Sequence, residues 1–146
     1  MADIKYTSEQ LDAIYTPISN TMVSAGAGSG KTKVLTARVI DHVLHDIDID
    51  RLLILTFTNA AAASMKLKIR DALIEDKNLD EDKKKSQLNK IDSSYIMTFD
   101  AYSLFLVKKY HSLLNIDKDI EVADDNIIDS KIIEILNEIL EEKYKG

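Results

Sequence analysis

Residues 25 to 32 read A-G-A-G-S-G-K-T, and three of the chain's four glycines fall inside them. Glycine turns through left-handed backbone conformations that a Cβ would oppose, so successive N–H groups can face one point. The run before it, Thr21-Met22-Val23-Ser24, is short, apolar and β-branched, as a buried strand would be. From Val34 to Leu44 apolar residues recur at helical spacing. A glycine-rich loop that ends in Lys-Thr between a strand and a helix is the setting in which such a loop cradles phosphate. Its N–H groups and the helix's N-terminal partial charge meet phosphate oxygens. Lys31 adds a full positive charge for the β- and γ-phosphates, and the Thr32 hydroxyl suits Mg²⁺. The strict pattern has Gly first, where this chain has Ala25. A glycine turn that binds nothing would explain neither the Lys-Thr ending nor the flanks.

At 146 residues the chain is one domain's worth, long enough for a real core. No apolar run approaches the ~18 residues of a membrane span. Residues 1–5, M-A-D-I-K, do not open a secretory leader, because no apolar core follows a basic start. The absence of cysteine excludes disulfides and thiolate metal sites. These features together lead us to expect a cytoplasmic protein. The net charge is −6, and Asp117 to Lys145, with ten acids and four bases, carries all of it. Residues 1–116 are balanced, so the overall acidity neither excludes nor supports a local groove for a nucleic-acid strand.

The rest of the chain reads as alternating helices and strands. Thr7 or Ser8 caps a short helix with Leu11, Ile14 and Tyr15 on its apolar side, and Pro17 ends it. Gln10 lies on that helix. An amide can both donate to and accept from one base edge, as adenine requires; taken alone, Gln10 is an ordinary surface glutamine. Leu52 to Phe57 reads as a buried parallel strand, and Thr58-Asn59 caps a helix running to about Ile74. Residues 75–92 are mostly charged and predict a solvated connector or a short exposed helix rather than a phosphate contact by Lys83 to Lys85. Ser94 to Phe99 reads as a third strand, and Asp100-Ala101-Tyr102 opens a third helix reaching Leu113. Glu121-Val122-Ala123 is short and extended. Ile128, Ile132, Ile135, Leu136 and Ile139 mark one face of a packing helix from about Asp125 to Tyr144. His42, His45 and His111 form no ligand pattern. The alternation predicts an α/β fold with a parallel sheet flanked by helices. Ligands in such sheets bind off the carboxyl ends of the strands, where the glycine loop and Thr56 to Asn59 both fall.

Three blocks occur in one order: A-G-A-G-S-G-K-T (25–32), L-T-F-T-N-A-A-A-A-S-M (55–65) and M-T-F-D-A-Y (97–102). Together they resemble the early motifs of the UvrD/Rep-type superfamily 1 DNA helicases, over essentially the whole chain. Within that family the chain looks like the N-terminal part of a helicase/nuclease subunit of AddA/RexA type. Two features favour this over a simpler UvrD/PcrA-type repair helicase: the long charged 75–92 stretch and the ending I-E-V-A-D-D-N followed by L-N-E-I-L-E-E-K-Y-K-G.

The resemblance implies a partial P-loop NTPase (RecA-like) domain over 1–116 and the start of a helical subdomain over 117–146. It implies ATP and Mg²⁺ as ligands. Ala25, Gly26, Ala27, Gly28, Ser29, Gly30, Lys31 and Thr32 would hold phosphate, with Lys31 and Thr32 catalytic and Thr32 on the metal. Gln10 would read adenine, and Lys33 would contact the nucleotide. Thr56, Phe57, Asn59, Thr98, Phe99 and Tyr102 would contact single-stranded DNA. From spacing alone, Phe57 and Phe99 read as core residues at strand ends, and it is the resemblance that favours the strand contact. Implied partners are DNA, single-stranded and duplex, and a second helicase–nuclease subunit, with no membrane. Ala60 and Asp100 stand where many relatives have Lys and His, and Asp100 sets an anion beside a proposed strand contact. No acidic D-E-x-x motif follows a later apolar strand, and an arginine finger is also missing, so the chain reads as a fragment with no ATPase activity alone. A stand-alone nucleotide-binding switch that does not translocate is the reading from another class.

Overall fold

Thr7 starts the first helix. Its Oγ1 accepts the Gln10 N–H at 3.3 Å while the Gln10 side chain accepts the Thr7 N–H at 3.0 Å, a reciprocal capping box. Residues 6–17 and 20–144 are described here, by a computed structural model. In order they form α1 (Ser8–Tyr15), α2 (Lys31–Leu44), a 3₁₀ turn (Ile49–Arg51), β1 (Leu53–Thr56), α3 (Asn59–Glu75) and α4 (Glu81–Lys90). A second 3₁₀ turn (Ile91–Ser93), β2 (Tyr95–Thr98), α5 (Phe99–Lys109), α6 (His111–Leu114) and α7 (Asp125–Tyr144) follow. The chain packs as two compact units divided after Tyr102.

In the first unit β1 and β2 pair in parallel, with Leu53 opposite Tyr95 and Thr56 opposite Thr98. Parallel neighbours need a long crossover, which α3 and α4 supply. Thr58 caps α3 by accepting the Ala61 N–H at 3.1 Å. The apolar faces of α2 and α3 close over the sheet: Val43, Ile49, Ile69, Leu73 and Ile91 are fully buried. Each such side chain contributes about 1.5–3 kcal/mol relative to exposure.

In the first unit three expectations are corrected. Thr21–Ser24 is not a strand: the sheet of the described residues contains only β1 and β2, and Met22 is 95% exposed. β-branched residues favour a strand only where a neighbour supplies a ladder and a surface to pack on. β1 is parallel as expected but buried on one side only, with Ile54 inside and Leu53 46% exposed.

The third concerns the charged 75–92 stretch: of the two alternatives expected there the short helix is present, as α4, but it is docked rather than merely solvated. Asp80 caps α4 through the Lys83 N–H at 2.7 Å, and Leu79, Gln87 and Ile91 are buried. Gln87 Oε1 accepts the Ile49 N–H at 2.9 Å, and its Nε2 donates to Asp48. Lys90 and Lys83 pair with Asp48 and Asp46. Hydrogen bonding from these lysines, and for Asp48 from Gln87 as well, holds both carboxyls below their ordinary range.

The helix opened by Asp100 does not run through to Leu113. It breaks at Tyr110, and α6 ends at Asn115 in the left-handed region, φ 54°. α7 spans the expected residues, but none of them is buried, so the expected packing face is left at least partly exposed. Among the described residues no helix is long and apolar enough to cross a membrane.

Candidate functional site

The loop of residues 25–32 runs into α2 through two left-handed glycines, Gly28 at φ 76° and Gly30 at φ 85°. A side chain at either would be strained whatever the space around it. Gly30 is the N-cap of α2, and its carbonyl accepts the Val34 N–H at 3.0 Å. Ser29 Oγ donates to the Gly26 carbonyl at 2.8 Å. Lys31 turns back over the loop, and its Nζ donates to the carbonyls of Ala25 at 2.9 Å and Gly26 at 2.6 Å. The loop thus gathers the first-turn N–H groups of a 14-residue helix and one ammonium at a single mouth.

Two residues of the N-terminal segment meet this loop. Gln10 Nε2 donates to the Ser29 carbonyl at 3.0 Å. Lys33 Nζ lies 4.5 Å from the centre of the Tyr6 ring, a cation–π contact. Burial, and then the neighbouring Tyr15, raise the Tyr6 hydroxyl above its ordinary value. Arg38 fixes α1 to α2: its Nη1 donates to the carbonyls of Ala13 at 2.8 Å and Ile14 at 3.1 Å. A cleft of about 820 Å³ opens here, its walls including Gly28, Gly30, Lys31, Thr32, Lys33 and Tyr6. Its far end follows α2 to Asp41 and meets Lys68 and Ala72 of α3. Thr36 also faces it, with a buried Oγ1 that has no hydrogen-bond partner among the described residues.

The second group lies at the carboxyl ends of the two strands. Phe57 follows β1 and Phe99 follows β2, and the parallel register brings them together, ring centroids 5.6 Å apart at 35°. Phe57 is 89% exposed and Phe99 50%, so Phe57 is no core residue. Thr56 Oγ1 donates to the Thr58 carbonyl at 3.1 Å, and Thr98 Oγ1 accepts the Ala101 N–H at 3.1 Å. Asn59 opens α3, while Tyr102 lies on α5. Both threonines therefore shape the turns that present the rings. The grouping of Thr56, Phe57, Asn59, Thr98, Phe99 and Tyr102 is thus that of two adjacent strand-to-helix turns.

Sequence reasoning missed the Gln10–Ser29 bond and the Arg38 clamp, because both join segments 19 or more residues apart. His45 Nδ1 lies 2.8 Å from the Asp41 carbonyl, and burial, then Arg38, lowers the His42 ring below its ordinary value. Among the described residues no three His, Cys, Asp or Glu side chains gather as a metal site. Thr32, which lines the cleft, offers a hydroxyl oxygen at the start of α2. That suits Mg²⁺, which is commonly held by one or two protein groups plus phosphate and water.

Comparison with known proteins supplies the family. Residues 6–145 match the model for the UvrD/REP helicase N-terminal domain. The chain is 40% identical over 152 residues to an ATP-dependent helicase/nuclease subunit of Clostridium botulinum (strain Kyoto / Type A2), covering 99% of the chain and 12% of that protein. It is 38% identical over 148 residues to the protein of the same name from Clostridium kluyveri (strain NBRC 12016), covering 97% of the chain and 12% of that protein. The chain therefore spans about one eighth of the length of these curated relatives. Since the family's model takes in nearly every residue, both the glycine loop and the paired phenylalanines included, the chain belongs to the UvrD/REP helicase N-terminal domain family.

Proposed function

We propose that this chain is the phosphate-holding part of the first RecA-like motor domain of a DNA helicase, in a helicase/nuclease subunit of AddA/RexA type. The observation that carries the reading is the loop at 25–32, with two left-handed glycines and Lys31 at the mouth of a nucleotide-sized cleft. The loop N–H groups and Lys31 hold the β- and γ-phosphates. Lys31 Nζ exchanges the Ala25 and Gly26 carbonyls for phosphate oxygens, a trade favoured by charge. Thr32 holds Mg²⁺, which neutralises phosphate charge when bound. Lys33 and Gln10 lie beside the nucleoside end. Among Ala25, Gly26, Ala27, Gly28, Ser29, Gly30, Lys31 and Thr32, the glycines at 28 and 30 supply the special backbone and Lys31 the charge.

Thr56, Phe57, Asn59, Thr98, Phe99 and Tyr102 take single-stranded DNA in this reading. Exposed aromatic faces stack on any base, at about 1–3 kcal/mol each. ATP turnover then drives movement along the strand and unwinding of duplex ends for recombinational repair, in the cytoplasm and in company with a second helicase–nuclease subunit. Residues 1–116 belong to the ATP-binding domain and 117–146 begin a helical subdomain. The 40% identity to the Clostridium botulinum helicase/nuclease favours this over a UvrD/PcrA-type repair helicase.

The deciding experiment is an ATPase assay on the full-length gene product with and without single-stranded DNA. Stimulation by the strand, abolished by Lys31→Ala, is expected. Turnover indifferent to DNA would instead favour a nucleotide switch that does not translocate. The 146-residue chain alone is expected to turn over ATP no faster than its Lys31→Ala variant, because the remaining acids and the arginine are absent from it.

A further inference from the structure

α1 is eight residues long, too short to persist alone in water. Thr7 caps its front. At its back the last four carbonyls have no partner within the helix. The Thr16 N–H takes that of Asp12 at 2.9 Å. The next two, of Ala13 and Ile14, go to Arg38 Nη1 at 2.8 Å and 3.1 Å. α1 has no basic residue in its own last turn, so α2 supplies the cation at the negative end of its dipole. Arg38 lies seven residues beyond Lys31, two turns along the same side of α2 and about 10 Å up its axis. One side of one helix therefore carries both the ammonium of the loop and the anchor of α1. α1 in turn brings Ile14 and Tyr15, with Tyr6 just before it, to the wall of the cleft, whereas Arg38 stays outside the lining.

We propose that Arg38 is a positioning residue for nucleotide binding: it keeps α1 seated, and the seated α1 is the wall along which the nucleoside lies. This rests on the nucleotide reading of residues 25–32. The phosphate side belongs to the loop and α2, with Gly30 as N-cap and Lys31 and Thr32 in the first turn, so it does not need α1. The bond from Gln10 Nε2 to the Ser29 carbonyl tethers the front of α1 but leaves its back, where Ile14 and Tyr15 lie, to Arg38. A ligand that binds only the seated form has its affinity reduced to the fraction of chains in that form. Bonds from a guanidinium to carbonyls are charge-assisted and stronger than neutral ones, so removing both leaves α1 mostly released.

The test compares ADP with pyrophosphate, each with Mg²⁺, by calorimetry on the whole chain. Pyrophosphate reports the loop and the fold, and ADP adds the nucleoside. Arg38→Gln is expected to weaken ADP by roughly tenfold or more and pyrophosphate by less than about twofold. Arg38→Lys, which keeps a charged donor, recovers part of the loss. Asp12→Pro breaks α1 at an exposed position and leaves Arg38 in place. It is expected to give the same split between the two ligands. Arg38→Gln added to it brings no further loss, because α1 is already released. Equal losses of ADP and pyrophosphate, an ADP affinity untouched by Arg38→Gln, or full additivity of the two substitutions would overturn the positioning role and leave the nucleotide reading standing. Failure of the unsubstituted chain to bind either ligand, with Lys31→Ala no different, would overturn the nucleotide reading and the positioning role together.

Discussion

Phe57→Ala separates two roles for an aromatic at a strand end. A buried phenylalanine truncated to alanine costs about 3–5 kcal/mol of stability. Phe57 is 89% exposed, so its substitution forfeits only the contact with Phe99, 5.6 Å away. Aromatic pairs of that geometry are worth about 0.5–1.5 kcal/mol. The stability loss should therefore not exceed about 1.5 kcal/mol, read from urea unfolding followed by circular dichroism. The DNA side of the balance is larger. Two stacking rings offer about 2–6 kcal/mol, against an association cost of about 4–15 kcal/mol. The 146-residue chain should accordingly bind oligo-dT with a dissociation constant of roughly millimolar or weaker. Removing one ring, at about 1–3 kcal/mol, should weaken binding by roughly 5- to 150-fold, beyond detection by fluorescence anisotropy. A stability loss of about 3 kcal/mol or more would make Phe57 a core residue after all. Submicromolar binding that survives Phe57→Ala would place the strand on another surface.

Two further outcomes test the docked α4. Gln87→Leu strands the Ile49 N–H in the core, at about 1–3 kcal/mol, and should lower the melting temperature by roughly 5–15 °C; a solvated α4 would leave it unchanged. Asp46 and Asp48 have carboxyls held below their ordinary value of 3.8, so their contribution is complete above that value and is lost as pH falls through the lowered ones. Lys90, raised above 10.5 chiefly by its bond to Asp48, loses its share as pH rises through its own raised value. Asp48→Asn should therefore be less stable than the parent at neutral pH and match it in strong acid, by urea unfolding at each pH.

What was legible in the sequence is local. Thr7 and Thr58 cap their helices through bonds spanning three residues, and hydrophobic spacing marks the faces of α2 and α3. The strands β1 and β2 were legible as apolar runs, and their parallel pairing followed from the helices between them. Thr21–Ser24 looks the same by composition, yet a strand is a relation between segments, and nothing in four residues says whether a neighbour is present. The short helix α4 was among the readings of its stretch, but its docking was missed for a similar reason. Its residues are polar, and Gln87 becomes a core residue only through Ile49 and Asp48, 38 and 39 positions earlier. In the site, the glycines and Lys31 were legible as a motif with a mechanism. The bond from Gln10 to Ser29 and the outward stance of Phe57 were not, since each depends on which elements the chain brings together.

Whether residues 25–32 hold the phosphates of a nucleotide can be seen in a crystal structure of the chain grown with ADP. The β-phosphate is expected within hydrogen-bond reach of the Gly30, Lys31 and Thr32 N–H groups, with Lys31 Nζ moved onto it from the Ala25 and Gly26 carbonyls. Lys31 still seated on those carbonyls under saturating ADP, or the nucleotide bound elsewhere, would contradict it.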